Sequence, residues 1–112
     1  MCGIFGYLGH QQALPLLVEG LRRLEYRGYD STGIAVEHEG TITTHKTVGK
    51  VADLKSVLPS TVEGTLGIAH TRWATHGGVT QVNTHPHASD NGKVHLVHNG
   101  IIENFQQLRK GL

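Results

Sequence analysis

The order in which strand and helix patterns alternate is the strongest constraint on the fold of this chain. Apolar alternation and turn residues predict strands at 4–8, 34–37, 41–47, 66–70 and 94–98, and helical spacing predicts helices at 11–24, 51–58 and 101–108. The Glu39-Gly40 turn joins two adjacent strands, which predicts a hairpin. The order βαββαββα mixes hairpins with helices. It therefore predicts an α+β fold, in which helices cover antiparallel sheets, rather than a doubly wound parallel sheet.

Length and composition fit one small globular domain. The chain has 112 residues, of which 38% are hydrophobic and 17% charged, with a formal net charge of +1. It has no basic run and few aromatic residues, so we predict neither a nucleic-acid nor a membrane partner. The N-terminus lacks the charged and apolar regions of a signal peptide, and no apolar segment is long enough to span a bilayer. These features predict a cytoplasmic protein.

The only cysteine, Cys2, directly follows Met1. Removal of Met1 would place a thiol and an α-amino group on the same residue. An α-amino group has an ordinary pKa of about 7.7–8.0, so it can accept the thiol proton near neutral pH. By position alone, an ordinary small residue near a chain end is the commoner explanation, because free cysteine usually packs as a small hydrophobe.

Two further segments carry candidate site chemistry, each with a plainer alternative. Asn99 and Gly100 follow a predicted strand and can offer an amide and a backbone N–H to one oxyanion, near the positive end of the last helix. The alternative is a turn in which Asn99 only caps that helix. Arg72 can hold a carboxylate bidentately, and Trp73 can wall a pocket beneath a glycine-containing loop. The alternative there is a surface arginine beside a core tryptophan.

Histidine is abundant and clusters late in the chain, which raises the question of a metal site. The candidates are His70, His76, His85, His87, His95 and His98. Imidazole is a good zinc ligand, but the chain has no HExxH motif, and residues 95 and 98 of one strand face opposite sides. We therefore predict no metal and no cofactor, and we expect the histidines to be hydrogen-bonding core or loop residues.

Five segments, spread over nearly the whole chain, resemble the glutaminase domain of the glutamine–fructose-6-phosphate aminotransferase family, within the class II glutamine amidotransferases. They are residues 1–6, 19–33, 67–77, 83–87 and 98–104. Amidophosphoribosyltransferase, asparagine synthetase and glutamate synthase share the Cys-Gly start and an Asn-Gly pair. The segments Leu-Glu-Tyr-Arg-Gly-Tyr-Asp-Ser and Arg-Trp-Ala-Thr-His-Gly favour the fructose-6-phosphate family.

The resemblance implies an N-terminal-nucleophile hydrolase fold, an αββα sandwich of two antiparallel sheets between helical layers. Residues 1–112 would be the N-terminal portion of this amidotransferase domain, with the sugar-isomerase domains absent. By the family's pattern, Cys2 would attack the side-chain amide of L-glutamine after Met1 is removed. The resemblance also gives the oxyanion hole to Asn99 and Gly100, and an ordering role around the nucleophile to Arg27 and Gly28.

The resemblance assigns glutamine binding to a second group of residues. Arg72 would bind the α-carboxylate, and residues 73–80 would form a mobile loop over the substrate. The other contacts are expected from Trp73, Thr75, His76 and His85. An aspartate that binds the α-amino group, and domains that bind fructose 6-phosphate, are expected beyond residue 112. The uncovered apolar face that this leaves predicts association, for example as a homo-oligomer or with a partner.

Overall fold

The computed structural model describes residues 2–74 and 78–112. Its main sheet has four strands in the order β1-β4-β2-β3, with every neighbouring pair antiparallel. A second, antiparallel sheet pairs β5 with β6. The strands are β1 Gly3–Leu8, β2 Ser31–His38, β3 Thr41–Val48, β4 Leu66–Arg72, β5 His87–Ala88 and β6 His95–Leu96. The helices are α1 Ala13–Leu24, α2 Val51–Val57 and α3 Phe105–Lys110, and a 3₁₀ helix, Glu25–Arg27, follows α1.

Helices α1 and α2 cover one face of the main sheet. Ala13, Leu17 and Leu21 recur every four residues along α1, so they share one face of the helix, and all three are fully buried. They belong to a core cluster with apolar side chains from β2, β4 and α2. The ring of Phe5 occupies the space that a Cβ on Gly20 would need. Glycine at this position therefore lets α1 pack closely against β1.

The opposite face of the sheet holds the loop that leads to β5. Strand register places Ile4, His70, Gly33 and Lys46 in one row across the four strands. The Lys46 ammonium donates hydrogen bonds to the backbone oxygens of Thr84 (2.9 Å) and Pro86 (3.3 Å). The intervening residue, His85, is thereby held against the sheet.

The predicted hairpin and the first two helices are confirmed, whereas the last helix is wrong at its start. It begins at Phe105 rather than at residue 101, and the residue before it is Asn104, not Asn99. Strand β5 was not predicted, and the predicted strand over 94–98 shortens to the two residues of β6. No helix in the described residues is long and apolar enough to cross a membrane.

The C-terminal segment packs loosely. None of the residues in α3 is buried, and Ile101 and Ile102 before it are each 54% exposed. Local apolar spacing predicted a helix there, but these side chains make too little tertiary contact to extend it, and short helices depend on such packing.

Candidate active site

A cavity of about 720 Å³ lies where β1 begins, β4 ends and the segment after β6 passes. It is lined by predicted site residues from distant parts of the chain, namely Cys2, Arg72, Trp73, His85 and Gly100. Apolar side chains of the C-terminal segment also line it, among them Ile101, Ile102 and Phe105. The fold therefore gathers a thiol, a guanidinium and a glycine turn around one space of small-ligand size.

Cys2 is half-buried and immediately precedes β1. Pairing of Gly3 with Thr71 brings the first residue of β1 beside the end of β4, so that Cys2 lies next to Arg72 in the strand order. The Cys2 Sγ lies 3.8 Å from the backbone oxygen of Trp73. Met1 lies outside the described residues.

Asn99 contacts the candidate nucleophile directly. Its Nδ2 donates to the backbone oxygen of Cys2 at 3.3 Å, although the two residues are 97 positions apart. Its Oδ1 lies 2.8 Å from Nε2 of His70. The amide is thus engaged by two tertiary contacts, and the alternative in which Asn99 caps the last helix is wrong. The expected help from that helix's dipole is wrong as well, because α3 starts at Phe105.

Gly100 continues from Asn99 in a backbone conformation that favours glycine. Its φ is 144°, and a Cβ would lie 3.3 Å from two ring atoms of His98. A side chain at this position would be both strained and crowded. Gly100 thus allows the chain to turn along the cavity wall.

The structure contradicts the alternative of a surface arginine beside a core tryptophan. Arg72 is the buried residue, at 8% exposure, and Trp73 is 43% exposed. The Arg72 Nη1 donates to the backbone oxygen of Gly78 at 2.9 Å, and Asn83 Nδ2 donates to the same oxygen at 3.0 Å. Trp73 packs edge-on against Tyr29 at 5.5 Å between ring centroids.

The loop after β4 is anchored at its start by a carboxylate that the sequence did not single out. Asp30 Oδ2 accepts a hydrogen bond from the backbone N–H of Ala74 at 2.6 Å. The predicted substrate contacts Thr75 and His76 lie outside the described residues. The only sequence signal for Asp30 was its place in one of the resembling segments.

Three histidines form a stack, and two of them, His85 and His87, line the cavity. His70 and His85 lie nearly parallel, with centroids 4.2 Å apart, and His87 is tilted against His85 at 4.3 Å. Burial, and the repulsion that a protonated ring would meet from neighbouring basic groups, lower the pKa of His85 to about 3. Burial also lowers the pKa values of His70 and His87 below their ordinary range. All three rings are accordingly neutral near pH 7.

The imidazoles stack rather than converge on a common point. In the described part of the chain, no group of three or more His, Cys, Asp or Glu side chains is placed to hold a metal ion. His70 takes the hydrogen-bonding core role that the sequence predicted for individual histidines, but its contact with Asn99 was not foreseen.

Arg27 and Gly28 are not among the described residues that line the cavity. Arg27 is half-buried at the end of the 3₁₀ helix, and the Gly28 N–H donates to the Glu25 oxygen at 3.1 Å. Their predicted ordering role stays a prediction. Asn83 and Phe105 also line the cavity, although no chemical pattern in the sequence marked either of them as a site residue.

Comparison with known proteins gives close relatives over the whole chain, although no family model matches. The chain is 55% identical to glutamine–fructose-6-phosphate aminotransferase (isomerizing) of Caldanaerobacter subterraneus subsp. tengcongensis and 57% identical to that of Corynebacterium glutamicum. Both alignments cover 100% of this chain and 19% of the relative. The chain thus spans about a fifth of the length of these relatives.

A solved structure with the same fold is glutamine phosphoribosylpyrophosphate amidotransferase from B. subtilis. It superimposes with a TM-score of 0.83 and 30% sequence identity, over 99% of this chain and 24% of that one. This neighbour confirms the predicted α+β, N-terminal-nucleophile hydrolase architecture. Over its whole length the chain matches the N-terminal, glutaminase part of glutamine–fructose-6-phosphate aminotransferases.

Proposed function

We propose that this chain carries the nucleophile and the oxyanion-binding groups of a glutaminase that hydrolyses L-glutamine to glutamate and ammonia. The observation that carries the proposal is the convergence of Cys2, Arg72 and Gly100 on one cavity, with Asn99 hydrogen-bonded to Cys2. A thiol, a carboxylate-binding cation and amide donors are the groups that thiol-mediated hydrolysis of a small amino-acid amide requires.

In the proposed reaction, Met1 is removed and the new α-amino group of Cys2 takes the thiol proton. The Cys2 Sγ then bonds to the side-chain carbonyl carbon of glutamine, and the carbonyl π electrons move to its oxygen. Asn99 Nδ2 and the Gly100 N–H donate to that oxyanion. The tetrahedral intermediate collapses, the carbon–nitrogen bond breaks, and the α-ammonium returns its proton to the nitrogen, which leaves as ammonia.

The product of this step is a γ-glutamyl thioester on Cys2. A water molecule attacks the thioester carbon and loses a proton to the α-amino group. The carbon–sulfur bond breaks, the thiolate is reprotonated and glutamate is released. Atoms and electrons balance without a metal, an oxidant or a reductant, and the same oxyanion hole serves both steps.

Glutamine would be oriented chiefly by Arg72, whose buried guanidinium lines the cavity and suits a bidentate contact with the α-carboxylate. Trp73, Thr75, His76 and His85 are the further substrate contacts in this proposal. Among the described residues that line the cavity, none is an aspartate or a glutamate. The described lining residues therefore supply no carboxylate for the α-ammonium group of glutamine.

For the whole protein we propose transfer of the amide nitrogen of glutamine to fructose 6-phosphate. Identities of 55–57% to aminotransferases with that name, against 30% to the phosphoribosylpyrophosphate enzyme, support this acceptor. The sugar phosphate would bind to segments that correspond to the remaining four-fifths of the relatives.

The test is covalent labelling of Cys2 in the chain without Met1, using a chloroketone analogue of L-glutamine and mass spectrometry. We expect one adduct on Cys2, slower labelling in the presence of glutamine, and no adduct with Cys2→Ala. The same chain with Met1 retained is the matched control for the α-amino base, and it should react more slowly.

A second reagent tests the role of Arg72. The α-carboxamide form of the chloroketone should label more slowly than the free acid, and Arg72→Gln should remove most of that difference. If circular dichroism shows a folded chain in which labelling is absent, or is indifferent to glutamine, the glutaminase proposal is wrong.

A second candidate is a non-catalytic interaction module, supported by the exposed apolar residues of the C-terminal segment. In that case the chain would fold only as a homo-oligomer or on a partner. Sedimentation and circular dichroism over a range of concentrations separate the two candidates, because a folded monomer contradicts the second.

A further inference from the structure

We propose that His70 is a positioning residue that holds the side-chain amide of Asn99 with Nδ2 toward Cys2. This inference rests on two hydrogen bonds that share the Asn99 amide: His70 Nε2 to Asn99 Oδ1 at 2.8 Å, and Asn99 Nδ2 to the Cys2 backbone oxygen at 3.3 Å. The catalytic consequence rests on the proposed function, whereas the structural part does not.

The orientation of the amide follows from hydrogen-bond chemistry. The Cys2 backbone oxygen can only accept, so the Asn99 group facing it must be the NH₂ donor. Oδ1 then faces His70, and since an amide oxygen also only accepts, Nε2 of His70 must carry the proton. The reverse orientation of the amide would place two oxygens against each other. The Cys2 backbone oxygen thereby determines both the direction of the Asn99 donors and the tautomer of His70.

The position of His70 in the sheet makes it a rigid support. It is 1% exposed and lies on β4, which is hydrogen-bonded to β1 on one side and to β2 on the other. The His85 ring covers it at 4.2 Å, nearly parallel. Burial and the positive charge of Arg72 keep the ring neutral, while the interactions with the Asn99 side chain and the His98 backbone oppose that shift only in part. A neutral ring with one fixed proton is a donor of defined direction.

The catalytic consequence concerns the second hydrogen of Asn99 Nδ2. One hydrogen serves the Cys2 backbone oxygen, and we assign the other to the oxyanion that forms on glutamine. If the His70 donor is lost, the amide can rotate and present its oxygen to the developing negative charge. Loss of one oxyanion donor costs about 100- to 1000-fold in rate, and loss of a residue that only orients a catalytic group costs about 10- to 100-fold.

The first experiment needs no activity. In the uniformly ¹⁵N-labelled chain at pH 7, long-range proton–nitrogen correlation spectra report which ring nitrogen of each histidine is protonated. We expect His70 to be neutral with its proton on Nε2, and its Nε2 resonance to move in Asn99→Ala. A proton on Nδ1 instead would overturn the proposal.

The second experiment uses variants and two probes. The aldehyde analogue of glutamine adds the Cys2 thiol to give a tetrahedral adduct whose oxygen occupies the oxyanion position, whereas glutamate forms no such adduct. His70→Leu removes the donor and should weaken aldehyde binding by about 10- to 100-fold with little change for glutamate. His70→Gln, whose amide N–H can replace Nε2–H, should retain most of the aldehyde affinity. Val51→Ala, a core change in α2, is the stability-matched control and should leave both affinities unchanged.

The outcomes separate the two proposals. If the wild-type chain binds glutamate but shows no aldehyde advantage, the glutaminase proposal fails, and the tautomer measurement still decides the role of His70. If wild type and His70→Leu show the same aldehyde advantage, the role of His70 is refuted and the glutaminase proposal stands.

Discussion

Gly33 lies in the middle of a buried strand, where glycine is ordinarily unfavourable, and the site explains why it is there. It is fully enclosed within β2 and pairs with His70 on one side and Lys46 on the other. A Cβ built on Gly33 would collide with the backbone oxygen of His85 and lie 3.0 Å from its carbonyl carbon. The substitution Gly33→Ala would therefore push the cavity-lining loop off the sheet.

The expected cost follows from the atoms involved. The obstructing atom is backbone, and the loop carrying it is fastened on both sides of His85 by the Lys46 ammonium, so it cannot yield cheaply. Forcing a methyl group into a packed site costs about 1–3 kcal/mol. The entropy that alanine saves in the unfolded chain returns only about 0.4–1 kcal/mol. Because the overpacking cost lies toward the upper end of its range, we expect Gly33→Ala to lower the free energy of unfolding by about 2 kcal/mol net.

Gly6→Ala is the matched control. Gly6 also lies in the middle of a strand, but it is exposed on the edge strand β1, and a Cβ there meets only the Gly67 oxygen, at 3.9 Å, which is ordinary contact. That variant should be unchanged or more stable by up to about 1 kcal/mol. Urea unfolding followed by circular dichroism measures both variants, and Cys2 labelling should slow only in Gly33→Ala. If the two alanine variants prove equally stable, the argument that the loop is seated on Gly33 is wrong.

Three further predictions concern protonation, the loop anchor and the glycine turn. The folded-state pKa of His85 is lowered to about 3, so the unfolded chain binds more protons than the folded chain between about pH 6.5 and 3. The free energy of unfolding should therefore fall as the pH falls through this range. In urea titrations, His85→Gln should reduce this pH dependence by up to about one proton. Asp30→Ala should cost about 1–3 kcal/mol in urea unfolding because the Ala74 N–H loses its acceptor, whereas Asp30→Asn, which keeps a side-chain oxygen, should cost less; equal losses would contradict the anchor. Gly100→Ala should slow Cys2 labelling, since φ is 144°, while Gly111→Ala, with φ of −86°, should not; labelling at the wild-type rate in both would refute the turn's role.

The sequence predicted best the elements whose signals are local and periodic. Leu17 and Leu21 recur at helical spacing, Pro15 suits the first turn, and α1 forms as expected. The hairpin of β2 and β3 likewise follows from its turn residues, and Glu39 adopts a φ of 50° there. In both cases the residues whose pattern predicts the element are the same residues that form it.

The sequence predicted poorly what depends on tertiary hydrogen bonds. Asn99 has the local signature of a helix cap, but its amide contacts His70 and Cys2, which are 29 and 97 residues away. Spacing cannot reveal such partners, so the helix start was placed too early. The burial of Arg72 escaped prediction for the same reason, because its partner Gly78 lies across a loop. The resemblance to a known family, rather than spacing, brought these residues into the candidate site.

Strand β4 links the stability of the core to the chemistry of the site. Successive residues of a strand point to opposite faces, so Ala69 and Thr71 face the helices, whereas His70 and Arg72 face the cavity side. Since β4 pairs on both edges, a shift of one residue in its register would exchange these two sets and remove the core and the site together. The buried apolar packing that fixes the register of β4 is therefore also what places the Arg72 guanidinium and the His70 donor. For that reason, substitutions on the helix-facing side should act on activity only through stability, while those on the cavity-facing side should act on activity directly.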